Sequence, residues 1–236
     1  MNRNRKRRRR RRAAFGTYIM LIVSLLLLIG GVTMVVENWT ASAQAAWNLE
    51  TSDVSEDDWQ RILVNRWHPI PENYMPELTE LLNGESVDSR IYPDLQEMFD
   101  NARAAGLEPS VSSGYRTHQA QQSLMDQEIA DYISQGYSEG EAKEMAEQWV
   151  AIPGTSEHQI GLAVDISAED GSGQAASDVW QWLRENSYKY GFILRYPEDK
   201  TDITGISYEP WHYRYVGKET AEEIYRQGVC LEEYLK

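Results

Sequence analysis

Ser156-Glu157-His158-Gln159-Ile160-Gly161-Leu162-Ala163-Val164-Asp165 is the stretch that decides the reading of this chain, together with Glu209-Pro210-Trp211-His212 further on. His158, Asp165 and His212 offer two imidazoles and one carboxylate, a three-ligand set for Zn²⁺ that leaves a fourth position for water, as catalytic zinc sites do. Imidazole nitrogen suits a borderline-soft cation, and a single carboxylate tempers the charge of the site. Glu209 stands three residues before a ligand, where a carboxylate can take a proton from the water.

Local patterning agrees. Leu162, Val164 and Ile166 alternate with Ala163 and Asp165, the period of a half-buried strand that faces its apolar side to the core and Asp165 to a cleft. Gly161 lets the backbone turn between His158 and that strand. Trp211, Tyr213 and Tyr215 alternate with His212 and Arg214, which predicts a second strand. In a flat strand Glu209 and His212 would point to opposite faces, so Pro210 is expected to break the regularity.

With these residues in view, the chain resembles the zinc D,D-peptidases of the VanY and VanX type, which share a metal site with lysostaphin-like peptidases and the hedgehog signalling domain. The resemblance rests on Ser156-x-His158-x-x-Gly161-x-Ala163-x-Asp165 and Glu209-x-x-His212. Leu63-Val64-Asn65 with His68-Pro69-Ile70-Pro71, and Ser113-Gly114-Tyr115-Arg116-Thr117 with Gln121, point to the VanY branch. It implies zinc ligands at His158, Asp165 and His212 and a general base at Glu209. It also implies that Arg116 holds the scissile carbonyl oxygen or the substrate carboxylate, a task that suits a planar, always-charged guanidinium. Ser156, Gln121 and Tyr196 fall where related carboxypeptidases contact the peptide. The implied reaction removes a C-terminal D-alanine from peptidoglycan stem peptides. L,D-carboxypeptidase, D,D-dipeptidase or endopeptidase action on the same site, and a non-catalytic zinc-binding module, stand as alternatives.

The first 12 residues hold nine basic ones, and no charge falls between Phe15 and Val36. At about 1.5 Å per residue such an apolar run spans a hydrocarbon core about 30 Å thick, and the basic run then lies on the cytoplasmic side. Ala41-Ser42-Ala43 resembles a signal-cleavage site, but the apolar run exceeds a signal-peptide core of roughly 7–15 residues. The expectation is therefore a basic cytoplasmic tail (1–12), a transmembrane signal-anchor (13–36), an acidic spacer (37–58) and an extracytoplasmic catalytic domain (59–236) of a bacterial single-pass membrane protein. Without its nine N-terminal basic residues the chain keeps 14 Lys+Arg against 37 Asp+Glu, a net charge of −23. That excess argues against nucleic acid as a partner. A monomer is expected. The single cysteine, Cys230, allows no internal disulfide and reads as a buried or idle thiol.

His68, in a Pro-bounded extended stretch, and His118, opening a helix, read as non-ligands. Asp94 is expected to cap a helix with Leu95, Met98, Phe99, Ala102 and Ala105 on one face. Pro109–Ser113 reads as a strand, His118 to about Gln135 as a helix, and Ser138-x-x-Glu141 as a capping box before a helix through about Val150. Ser177 is expected to cap a helix, Phe192–Tyr196 to form a strand, and Lys218–Gln227 to form a last helix before Gly228. Helices and strands mix without regular βαβ alternation, so the class is α+β, a hedgehog/D,D-peptidase-like domain with a central antiparallel sheet flanked by helices. The chain has no S-x-x-K with S-D-N and K-T-G, no H-E-x-x-H and no G-x-S-x-G, which removes the common serine-type and zincin alternatives.

Overall fold

The computed structural model describes residues 58–236. The expected tail and anchor, and all of the spacer up to residue 57, lie outside the described residues. Among those described, no helix is long and apolar enough to cross a membrane.

The order of elements is β1 (Leu78–Glu80), β2 (Ser86–Asp88), α1 (Tyr92–Ala104), β3 (Pro109–Ser113), α2 (His118–Ser134), α3 (Glu139–Ala146), β4 (Ala163–Ala168), α4 (Ala176–Asn186), β5 (Phe192–Leu194), α5 (Thr201–Thr204), β6 (His212–Tyr215), α6 (Lys218–Gln227) and α7 (Leu231–Tyr234). A 3₁₀ turn, Glu157–Ile160, leads into β4. β1 and β2 form a hairpin, and the central sheet runs β3-β4-β6-β5, antiparallel throughout. The class is α+β.

The alternation read in the sequence sets the two faces of this sheet. Leu162, Val164 and Ile166 join Tyr213, Tyr215 and Phe192 in the main core, against Leu95, Met98 and Phe99 of α1 and Val179 and Leu183 of α4. Each such side chain, once fully buried, contributes on the order of 1.5–3 kcal/mol. Ile193 points the other way and packs with Val216, Ala221, Ile224 and Leu231. α2 and α3 pack on each other through Met125 and Ala146, with Val150 beyond the end of α3 joining them.

Boundaries moved where a local signal met a tertiary demand. Asp94 does not cap α1, which begins at Tyr92 with Pro93 in its first turn; its carboxylate instead accepts from the Tyr215 hydroxyl at 2.6 Å and pairs with Lys218 at 2.9 Å. Ala105 is exposed, beyond the apolar stripe. α4 starts at Ala176, ahead of the expected cap at Ser177. The Ser138–Glu141 capping box forms as read, but α3 stops at Ala146. β5 ends at Leu194, two residues early, and α6 ends as expected on left-handed Gly228.

Candidate metal centre

β4 carries Asp165 on the face opposite Val164 and Ile166, and β6 carries His212 directly across from it. The 3₁₀ turn ends on Gly161 at φ 72°, a left-handed conformation that glycine adopts without penalty. That reversal swings His158 back over the same face. Its Nδ1 lies 2.7 Å from the Gly114 carbonyl. A carbonyl can only accept, so Nδ1 carries the proton and Nε2 presents its lone pair to the cleft.

Three potential donors therefore converge. His158 Nε2 is 3.4 Å from Asp165 Oδ2, His212 Nδ1 is 3.1 Å from Asp165 Oδ1, and one ligand atom from each residue lies within 4.8 Å of the others. Asp165 Oδ1 is nonetheless buried without an aligned hydrogen-bond partner among the described residues. Buried polar atoms rarely go unpaired. Two imidazoles and a carboxylate whose lone pairs meet at a common point fit a tetrahedral divalent ion such as zinc.

Without a metal, the three groups polarise one another. Burial pulls His158 below its ordinary value against the opposing pull of Asp165. Burial works to raise Asp165, but His158 and His212 outweigh it and hold the carboxyl well below its usual range. His212 is pushed up to about 9: burial opposes this, and the Asp165 and Glu157 carboxylates prevail.

Glu209 reaches the site because no strand runs through it. β6 begins only at His212, the residues before it form a turn, and the His212 amide donates to the Glu209 carbonyl at 3.2 Å. The break expected at Pro210 is present, and it brings Glu209 Oε2 to 3.6 Å from His212 Nδ1. Burial, with Asp165 adding to it and His212 and Arg116 opposing, pushes the Glu209 carboxyl up to about 7.

Arg116 lines the same cleft, of about 200 Å³, with Ser156, Gln121 and Tyr196. Its guanidinium donates to Ser113 Oγ at 2.9 Å, Gln121 Oε1 at 3.3 Å and Asp165 Oδ2 at 2.7 Å. Gln121 is 1% exposed and its amide also donates to the Ala151 carbonyl at 2.8 Å, so both its ends are occupied behind Arg116. The Tyr196 ring lies 4.7 Å from that of His212. Leu124, Trp149 and Ile206 add apolar wall. His68 is exposed and bonds Asn65 Oδ1 at 2.9 Å, and His118 is exposed at the start of α2; neither approaches the centre. Cys230 is buried, and burial pushes its thiol up to about 11.

The VanY family profile, described as D-alanyl-D-alanine carboxypeptidase, matches residues 84–218. The chain belongs to the VanY family. It is 60% identical over 180 residues to the D-alanyl-D-alanine carboxypeptidase of Enterococcus faecalis (strain ATCC 700802 / V583), covering 76% of this chain and 67% of that one. A solved VanY D,D-pentapeptidase mutant from a VanB-type vancomycin resistance cassette, in complex with Zn(II), is 60% identical with a TM-score of 0.74, over 75% of this chain and 99% of that one. The structure of VanYB in complex with D-alanine-D-alanine is 60% identical with a TM-score of 0.73, over 75% of this chain and 97% of that one.

One part of this centre went unread in the sequence. Beneath His212 lies a buried charge network of Glu157, Arg195, Arg214 and Glu232, the two arginines fully enclosed. Glu157 stood inside the quoted motif and Arg214 on the predicted His212 face of its strand. A charged residue on a face that must be enclosed around a ligand was the available signal. Nothing in the spacing pointed to Arg195 or Glu232.

Proposed function

We propose that His158, Asp165 and His212 hold zinc, and that the domain removes the C-terminal D-alanine from peptidoglycan stem peptides with Glu209 as general base. The observation that carries this is the convergence of the three donors within 4.8 Å, with the Glu209 carboxylate 3.6 Å from one of them. A zinc ion bound there supplies Lewis acidity, polarising the scissile carbonyl and bringing a water's pKa to roughly 7.

The chain's own groups do the rest. Glu209 accepts a proton as water attacks the carbonyl carbon, then delivers it to the amine of the departing D-alanine. Arg116 offers fixed donors to the oxygen on which charge develops, or to the terminal carboxylate. Through its bond to Asp165 it also holds that ligand's orientation. Ser156 and Tyr196 line the cleft where peptide atoms would rest, and Gln121 acts by bracing Arg116. The apolar run at 15–36 and the basic run before it support a single-pass anchor with the catalytic domain outside the cytoplasm.

The test incubates the protein with a pentapeptide ending in D-Ala-D-Ala, with and without a chelator, and weighs the products. Loss of one alanine, abolished by the chelator and restored by zinc, is expected. Release of the intact dipeptide, by a cut after the residue that precedes it, would reassign the specificity. Glu209→Ala is expected to bind zinc and lose hydrolysis; turnover like that of the wild type would refute its role as base.

A further inference from the structure

We infer that Glu157 is a positioning residue: it accepts the Nε2 proton of His212 and so commits Nδ1 of that ring to the metal. The inference rests on the zinc reading above and extends it to a residue outside the ligand set.

Glu157 is 1% exposed, one residue before the ligand His158. Its two oxygens have unlike surroundings. Oε1 accepts from Arg195 Nε and from Arg214 Nη1, both at 2.8 Å. Among the described residues Oε2 has no hydrogen-bond partner, and neither does His212 Nε2. These two unpartnered atoms face each other at 3.7 Å, about half an ångström beyond hydrogen-bonding range. Nδ1 faces the carboxylate of the ligand set and Nε2 one outside it; a carboxylate oxygen can only accept, so with a metal seated between Nδ1 and Asp165 it is Nε2 that carries the proton. In a neutral ring the lone pair then belongs to Nδ1, which faces Asp165 and Glu209. A hydrogen bond from the non-ligating nitrogen fixes both tautomer and ring angle. His158 reaches the same end in the opposite sense, with Nδ1 protonated toward the Gly114 carbonyl and Nε2 free.

The arginines hold Glu157 in this orientation. Arg195 is itself gripped by Glu232, through Nη1 at 2.9 Å and Nη2 at 2.6 Å, and Glu232 accepts from Asn65 at 3.0 Å. Arg214 is anchored on the Gln60, Ile62 and Tyr215 carbonyls. With both guanidiniums fixed on Oε1, only Oε2 remains to meet the imidazole. Glu157→Gln reverses this logic. The two guanidiniums demand an acceptor, so the amide oxygen must take the Oε1 position, and the NH₂ turns to His212 Nε2. That nitrogen must then accept, which puts the proton on Nδ1, in the way of the metal.

The experiment uses histidine labelled with ¹⁵N in the zinc-loaded protein, where only four histidines contribute signals. Long-range ¹H–¹⁵N correlations are expected to show His212 protonated on Nε2 and His158 on Nδ1. Zinc affinity, measured by competition with a chromophoric chelator, is expected to fall about 10- to 100-fold in Glu157→Gln. A zinc-loaded wild type with His212 protonated on Nδ1 would overturn the inference while leaving the zinc site intact, and it needs no variant to fold. Unchanged zinc affinity in Glu157→Gln would overturn it as well. Failure of the wild type to bind zinc at all would instead remove the functional reading beneath it.

Discussion

Gly114→Ala tests how tightly the metal centre is tied to the β1–β2 hairpin. A Cβ on Gly114 would lie 2.2 Å from the Ser86 carbonyl oxygen, a backbone atom that cannot rotate away. Contacts under 3.0 Å essentially do not occur, so the two segments must part by nearly 1 Å. They are stapled where they would have to separate. The Tyr115 amide donates to the same Ser86 oxygen at 2.6 Å, and the Gly114 amide donates to Glu85 Oε2 at 2.8 Å. The Gly114 carbonyl meanwhile receives His158 Nδ1 at 2.7 Å. Overpacking of this kind costs about 1–3 kcal/mol. For a domain of this size each kcal/mol lowers the melting temperature by about 2–4 °C, so a loss of roughly 2–12 °C is expected. Moving the carbonyl also loosens a ligand's supporting hydrogen bond, which lowers metal affinity by about 10- to 100-fold. Thermal melts of the zinc-free protein and chelator competition measure the two effects separately. Gly140→Ala is the control: it sits in α3 with nothing near its Cβ position, and alanine there should stabilise by about 0.5–1 kcal/mol. A Gly114→Ala protein that melts with the wild type and binds zinc as tightly would refute the reasoning.

Arg116→Lys keeps the charge but replaces three donors aimed at Ser113, Gln121 and Asp165 with one ammonium; kcat/KM on the D-Ala-D-Ala pentapeptide should fall by about 10²-fold or more, and activity within twofold of wild type would count against the proposed role. Glu232→Gln probes acid stability. Burial acts to raise the Glu232 carboxyl, but Arg195 and Asn65 hold it below its ordinary value. A depressed folded-state pKa gives stability that is fully present above the unfolded value of about 4.3 and is lost as pH falls through the folded value. Denaturant melts should therefore show the variant less stable by about 1.5–3 kcal/mol at pH 7, with the difference shrinking below about pH 4.3; a difference that grows on acidification would reverse the assignment.

Sequence patterning revealed those parts of the fold that obey one local rule at a time. The Leu162–Ile166 alternation, the Ser138 capping box and the His118 helix are each decided within a few residues, and each stands where it was read. The candidate metal ligands were legible because zinc accepts few residue types, and the break before His212 because proline cannot continue a ladder. Asp94 shows the limit. Its residue type suits a cap, yet a distant tyrosine and lysine claim its carboxylate. Gln121 shows another: it lines the cleft, but its bonds to Arg116 and to the Ala151 carbonyl could not be read from its place in a motif. Most hidden of all was the Glu157 network, whose members at 157, 195, 214 and 232 meet only through the folded sheet and the C-terminal turn.

That network also bears on how so acidic a chain could receive an acidic ligand. Outside its first twelve residues the chain carries a net −23, a field that disfavours approach of a peptide ending in a carboxylate. The charges wired through the centre are nearly balanced. Glu157, Asp165, Glu209 and Glu232 stand against Arg116, Arg195 and Arg214 in two groups of contacts that meet where His212 approaches Glu157. Four carboxylates and three guanidiniums leave one negative charge; a divalent ion turns that to one positive, and a terminal carboxylate then brings the set to neutrality. Two fully buried arginines are costly as stability devices, since well-packed apolar residues often serve as well or better. Their presence under His212 is better explained by Glu157: they balance the charge of a carboxylate buried beside the ring and hold its Oε1, so that Oε2 faces the imidazole.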